Sequence, residues 1–309
     1  MKNISISKSE EGLTLIKYLR KIFNAPNALL QKLIRKKYFK INGKTASGDQ
    51  VLKQNDALSI FLSDDTFEKF HIVKTDKKNS HRDSNKYVNR IVYEDGNVII
   101  FNKPVGMLSQ GDKSHDESVN SVLNNYIGDN ASSFKPSVVN RLDRNTEGLI
   151  IFAKTYIASK EISSMIKNNK LDKRYKATVN GVMKDDEGEL IHLYKKDSKS
   201  NKAILRNYNG EVLDGYSLIK LKYKVIKRNA ETTDIDINLI TGKSHQIRAQ
   251  FSYIGFPLVA DKKYMDSKLY KSNIIKYGFR TQRLICYKIG FSKFENAELK
   301  SLSNRVFKI

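Results

Sequence analysis

The sequence is short of acidic residues, of cysteine and of long apolar runs, and each shortage closes off a class of function. Asp and Glu number 33 against 56 Lys and Arg, a formal net charge of +23 in 309 residues. An imbalance of that size points to a polyanionic partner, nucleic acid or an anionic membrane surface, because binding releases condensed counterions. No apolar run approaches the length of a bilayer span, and the opening MKNISISKSEEG lacks the apolar core of a secretory signal. No membrane partner is expected, which leaves nucleic acid. The one cysteine, Cys286, cannot form an intramolecular disulfide, and Leu284 and Ile285 before it suggest a strand interior. A cytoplasmic location fits. His71, His81, His115, His192 and His245 are scattered without ligand spacing, so no metal site is expected.

What is present divides into two parts. The length allows one large domain and a small one, each able to bury a core. Within residues 12–23, Leu15, Ile16, Leu19 and Phe23 make one helical stripe. Asn27 can cap a second helix, whose apolar side is Leu29, Leu30, Leu33 and Ile34 and whose basic side is Lys32, Arg35, Lys36 and Lys37. Strands follow at 38–42 and 57–62, with a turn at Asn42-Gly43. TDKKNSHRDSNK then has no apolar periodicity and reads as a flexible linker. The division expected is 1–70, a small basic module; 71–87, the linker; and 88–309, the main domain.

The main domain opens with strand-like runs around Asp95-Gly96 and a turn in Asn102-Lys103-Pro104-Val105-Gly106. Helices are expected at 118–127 and from Ile157 to Ile166, and a strand over 171–181. In two alternating strands Ile219, Leu221, Tyr223 and Val225, then Ile235, Ile237 and Leu239, mark the dry face. One dry face per strand suits an antiparallel sheet covered on one side. Residues 184–213 are polar and carry no assignable pattern. Thr241–Gln250 reads as a helix start with Ser244 as cap, and helical spacing puts His245 and Arg248 on one face. Gly242-Lys243-Ser244 is no P-loop, since Ile237 stands where the upstream glycine belongs.

The chain is organised around VNRLDRNTEGLIIFAK, residues 139–154. Asp143 stands between Arg141 and Arg144 on a loop that feeds the apolar run 149–153. A loop anchored by a buried strand can hold a reactive group in one geometry. The residues alone leave a solvated ion pair open as the alternative.

This stretch resembles the HRLD-type signature of the RluA/RluC/RluD family of RNA pseudouridine synthases, with Asn140 and Glu147 where the family has His and often Ser. The resemblance implies that Asp143 is catalytic. Further motifs follow in family order: Lys103-Pro104-x-Gly106; Arg174-Tyr175, whose tyrosine packs against the target base; TGKSHQIR, whose final arginine, Arg248, meets the catalytic aspartate; and LICYKIGF, residues 284–291. For Lys103 a phosphate contact and a plain strand-end lysine are both open, as are a pocket and a core role for Leu284. The N-terminal LLQKLIRKKYFKINGK with the distal VLKQNDALSIF resembles the alpha-L RNA-binding domain of ribosomal small-subunit protein four. It implies RNA phosphates against Arg20, Lys32, Arg35, Lys36 and Lys37, a solvated helix face being the alternative; Arg144 is a further RNA-binding candidate.

The fold class implied is α+β: a pseudouridine synthase domain with a mainly antiparallel mixed sheet, plus a small N-terminal α/β module. Pseudouridine formation cuts the bond between N1 of uracil and C1′ of ribose, turns the base and rejoins it through C5, without a cofactor. It needs an ionised carboxylate where water is excluded, and an arginine within contact range supplies the compensating charge. Arg141 is the family's candidate to fill the space that a flipped base leaves. The expected partner, by analogy with relatives carrying the same N-terminal module, is large-subunit ribosomal RNA, and a monomer is expected. A noncatalytic RNA-binding assembly protein on the same fold is the second reading. An RNA methyltransferase would want a glycine-rich cofactor loop after an early strand, and none is found.

Overall fold

The computed structural model describes residues 1–72, 84–112, 116–128 and 134–309. Contacts gather these into two compact units, one of residues 1–99, 120–139 and 151–163 and one of 100–119, 140–150 and 164–309. Most of the expected linker lies outside the described residues; 84–90 form a 3-10 turn.

In chain order the elements begin with β1 (Lys2–Ser5), α1 (Leu15–Ile22), α2 (Asn27–Arg35), β2 (Phe39–Ile41), β3 (Lys44–Thr45), β4 (Ala57–Ile60) and α3 (Asp64–Phe70). The four strands pair antiparallel in the order β1-β4-β2-β3. The apolar stripes meet as expected: Leu15, Tyr18 and Leu19 of α1 and Leu30 and Ile34 of α2 are buried with Phe39, Leu58 and Ile60. Their opposite faces carry the cations. This module also meets residues that come later in the chain. Tyr156 packs against its core, Lys17 Nζ donates to the Tyr156 hydroxyl at 3.2 Å, and Lys21 lies over the Phe134 ring at 4.8 Å, all within the first unit.

The chain continues through β5 (Ile91–Glu94), β6 (Val98–Lys103), α4 (Val119–Ile127), β7 (Ser137–Val138), β8 (Glu147–Ala153), α5 (Tyr156–Lys167) and β9 (Leu171–Asn180). There follow β10 (Glu187–Asp197), β11 (Lys202–Asn207), β12 (Ser217–Arg228), β13 (Thr232–Leu239), α6 (Gln246–Tyr253), α7 (Ser267–Tyr277), β14 (Leu284–Phe291) and β15 (Val306–Lys308). The large sheet runs β11-β10-β12-β13-β9-β14-β8-β6-β5, with β15 beside β14 and β7 beside β8. Most described pairs are antiparallel; β8 and β14 run parallel. The α+β class is therefore correct. Residues 184–213, unreadable in sequence, form the β10–β11 hairpin, whose exposed β11 has no apolar alternation to advertise it. No helix of the described residues is long and apolar enough to cross a membrane.

One glycine fixes how the central strands meet. Gly148 has φ +119°, and a Cβ there would fall 2.2 Å from the Cys286 carbonyl oxygen, which is backbone and cannot yield. Gly148 is thus the point where β8 reaches β14, directly after the loop bearing Asp143. Gly148→Ala is expected to cost about 3 kcal/mol or more, from strain and overlap together, and to lower the Tm by roughly 6 °C or more. Gly96→Ala, in open space, serves as the control in the same thermal melt and should stay within about 0.5 kcal/mol of the parent.

Candidate active site

The carboxylate of Asp143 is held from its own backbone outward. On one side Ser109 Oγ donates to the Leu142 carbonyl at 2.8 Å and accepts from the Leu142 N–H at 3.0 Å. On the other, the Arg144 carbonyl accepts from Lys103 Nζ at 2.9 Å and from the Gly106 N–H at 2.9 Å. Asp143 itself closes a turn, its carbonyl accepting from Thr146 N at 3.0 Å. Both neighbours of the carboxylate are therefore tied to residues 103–109. A loop pinned on each side of one residue offers that side chain few alternatives.

Into this frame α6 delivers Arg248. Its Nη1 donates to Asp143 Oδ2 at 2.9 Å, while Nε and Nη2 form a two-pronged pair with Asp261 at 2.7 and 2.8 Å. The arginine side chain is 8 % exposed and that of Asp261 is 0 % exposed. Burial alone would favour loss of its proton, but the two carboxylates more than offset that and hold it charged. Two prongs on Asp261 fix the plane of the guanidinium, so its third nitrogen has one direction in which to meet Asp143.

His245, rather than Ser244, precedes α6 as its cap residue, in the left-handed conformation at φ 58° with no side-chain cap bond. That places its ring across Asp143: Nε2 is 4.0 Å from Oδ2, and Nδ1 is 3.0 Å from the Tyr264 hydroxyl. The Tyr264 oxygen accepts the Ala203 N–H at 2.7 Å, leaving its own proton to be donated. The Asp143 carboxylate on the Nε2 side favours the tautomer with the proton on Nε2, in which Nδ1 accepts from the Tyr264 hydroxyl. Burial lowers the His245 pKa and favours the neutral ring, and raises that of Tyr264 to about 12.

Two of the RNA-binding candidates have partners within the protein. Lys103 is 0 % exposed, and its ammonium donates to the carbonyls of Pro104, Met107 and Arg144. It braces the Asp143 loop, and burial pushes its pKa down to about 8 against the pull of Asp143. Arg144 is partly exposed, but its guanidinium already pairs with Asp116 at 2.8 Å and the Gly106 carbonyl at 3.1 Å. Arg141 is exposed beside Asp143 in the chain. Tyr175 and Leu284 are both buried, and Tyr175 stands opposite Cys286 in register. Burial, then Cys286, raises the tyrosine pKa, with Asp143 adding to it. In the other unit Arg20, Lys32, Arg35, Lys36 and Lys37 are all exposed. Ser109, Asp261 and Tyr264 were not read from the sequence. Only the run Leu258-Val259-Ala260 before Asp261 hinted that this acid is buried.

The sequence profile of the RNA pseudouridylate synthase family matches residues 97–253, half of the chain, and spans Lys103, Asp143 and Arg248. The chain belongs to that family. This synthase is 30% identical to "Ribosomal large subunit pseudouridine synthase C" of Rickettsia bellii over 94% of its length and 96% of the relative's. It is 29% identical to the protein of the same description in Buchnera aphidicola, over 97% and 91% of the two chains. Among solved structures, human RNA pseudouridylate synthase domain containing 4 superposes with a TM-score of 0.56 at 20% identity, covering 67% of this chain and 86% of that one, a likeness of fold. The synthase is therefore an isomerase, and its near full-length relatives make it RluC-like.

Two outcomes are expected of the synthase. Lys103 is neutral in the fold above about pH 8 but keeps its proton in the unfolded chain to about pH 10.4. In that window the unfolded state binds more protons, so stability should rise with pH. Denaturant melts across it should show the parent gaining on the order of 3 kcal/mol over Lys103→Met, and a pH-independent gap would refute the buried ammonium. Nitrogen-15 NMR of the neutral His245 ring should find the proton on Nε2, and Tyr264→Phe should release that preference.

Proposed function

We propose that the synthase isomerises uridine in large-subunit ribosomal RNA, with Asp143 as the catalytic carboxylate. The observation that carries the reading is the Arg248 pair, 2.9 Å from Asp143 and anchored behind by Asp261. It keeps a negative charge in place on a braced loop where a flipped base would shut out water. The N1–C1′ bond breaks, the base turns, and C5 bonds to C1′; the C5 proton leaves and N1 gains one. Nothing is oxidised or reduced, so the reaction asks for no cofactor. Ribosomal RNA is favoured by the relatives that share nearly the full length of this chain, which are described as acting on the large subunit.

The remaining residues take roles consistent with where they stand. Arg141, exposed two positions from Asp143, fills the stack that the uridine vacates, where a planar guanidinium can replace a base. Tyr175 and Leu284 form the floor beneath the uracil. The cationic faces of α1 and α2 in the N-terminal module, through Arg20, Lys32, Arg35, Lys36 and Lys37, bind phosphates elsewhere on the RNA. The synthase acts in the cytoplasm as a monomer.

Tritium release from ribosomal RNA labelled at uridine C5, taken from cells lacking the enzyme, tests this directly. The wild-type protein should release tritium, and Asp143→Asn should lose about 10³-fold or more of the rate while binding the RNA within about threefold. Arg248→Met should lose about 100-fold in rate with a smaller loss of affinity. Release that survives in Asp143→Asn would remove the carboxylate from the mechanism.

A further inference from the structure

The β10–β11 hairpin fills the stretch that no family motif explained. Between Lys195 and Arg206 it carries Lys195, Lys196, Lys199, Lys202 and Arg206 against one acid, Asp197. Lys195 and Arg206 lie over the Tyr216 ring at 5.7 and 5.2 Å. Lys202 is otherwise placed. It opens β11 exposed, and Asp197, opposite it in register, accepts instead from Lys199 N and the Ser200 hydroxyl within the turn.

The bond from Ala203 N to Tyr264 Oη, 2.7 Å, docks this end of the hairpin on the segment that follows α6. The residues preceding each partner are Lys202 and Lys263, so one hydrogen bond brings the backbones next to both lysines together. Lys263 is half-buried, its N–H donating to Asp261 Oδ1 at 3.1 Å. Neither lysine has an ion-pair partner within 4 Å among the described residues. Burial, then the neighbouring charges of Arg248 and Lys202, disfavour the ammonium of Lys263, only partly offset by Asp143 and Asp261. Tyr264 also holds His245 and lies under the Arg248 guanidinium at 5.2 Å, so the pair stands one residue from the catalytic cluster.

We propose that Lys202 and Lys263 form a binding site for a backbone phosphate of the RNA strand that carries the target uridine. The exposed ammonium of Lys202 and the half-buried one of Lys263 gain from one anion that meets both. A phosphate is the group an RNA presents at every nucleotide, and lysine meets it as a point charge without reading sequence. The hairpin thereby grips the strand next to the flipped base. This inference rests on RNA being the substrate and adds where the strand is held.

The test measures binding of the 309-residue protein to large-subunit ribosomal RNA as salt is raised, beside tritium release from the same RNA. Lys202→Ala with Lys263→Ala is compared with the parent, with Lys202→Arg plus Lys263→Arg, and with Lys300→Ala plus Lys308→Ala, which removes two exposed charges elsewhere. Two lost phosphate contacts should flatten the slope of log affinity against log salt by roughly 1.5 and weaken binding about tenfold. The arginine pair should restore both. A slope equal to that of the distant control overturns the site, and so does weaker binding at an unchanged slope, which would mark a structural role. Absence of tritium release by the parent would count against the parent reading of function, while the salt slopes would still decide the phosphate site.

Discussion

The two-pronged pair between Arg248 and Asp261 is the contact on which the site depends. A guanidinium buried this deeply is tolerable only when its hydrogen-bonding edges are satisfied, and removing one partner of such a pair typically costs about 3–5 kcal/mol. Asp261 satisfies two nitrogens from behind, and Asp143 accepts from the third. Asp261 is also fixed in turn by the N–H groups of Lys263 and Tyr264. The arginine is therefore less a free counter-charge than a rigid spacer that sets where the Asp143 carboxylate can stand.

The same economy governs the loop. Its backbone on each side of Asp143 is bonded to residues 103–109, and one of the donors is a buried ammonium, the costliest kind of brace. Beyond the loop, β8 meets β14 at Gly148, where a side chain would strike the Cys286 backbone. Loop and strand thus share one requirement, a fixed path for residues 140–150, and their separate constraints all act on it.

Much of the scaffold was legible because short-range periodicity encodes it. The stripes of α1 and α2, the alternation in β9, β12 and β13, and the apolar run of β8 each announce a face to be buried. Other elements escaped for physical reasons. The β10–β11 hairpin lies at the end of the sheet, where one strand stays exposed and needs no alternation. The short α3 and the polar α7 have weak apolar stripes, and His245 caps α6 in a left-handed conformation that no local rule for a helix start would choose.

The sequence by itself singled out the pair at the centre of the site: Asp143 in its arginine-flanked motif and Arg248 in TGKSHQIR are recognisable by residue type and order. It also fixed the sign of the net charge, which suits the RNA on which the family acts. Only the tertiary structure decided the supporting cast. Ser109, Asp261 and Tyr264 act through partners that the chain brings back from a distance, and nothing in their immediate neighbours reports such a contact. Lys103 shows the difference most plainly. As a letter after a strand it could reach outward to phosphate or inward to carbonyls, and the choice turned on whether three carbonyl oxygens converged on it, which is a property of the folded loop alone.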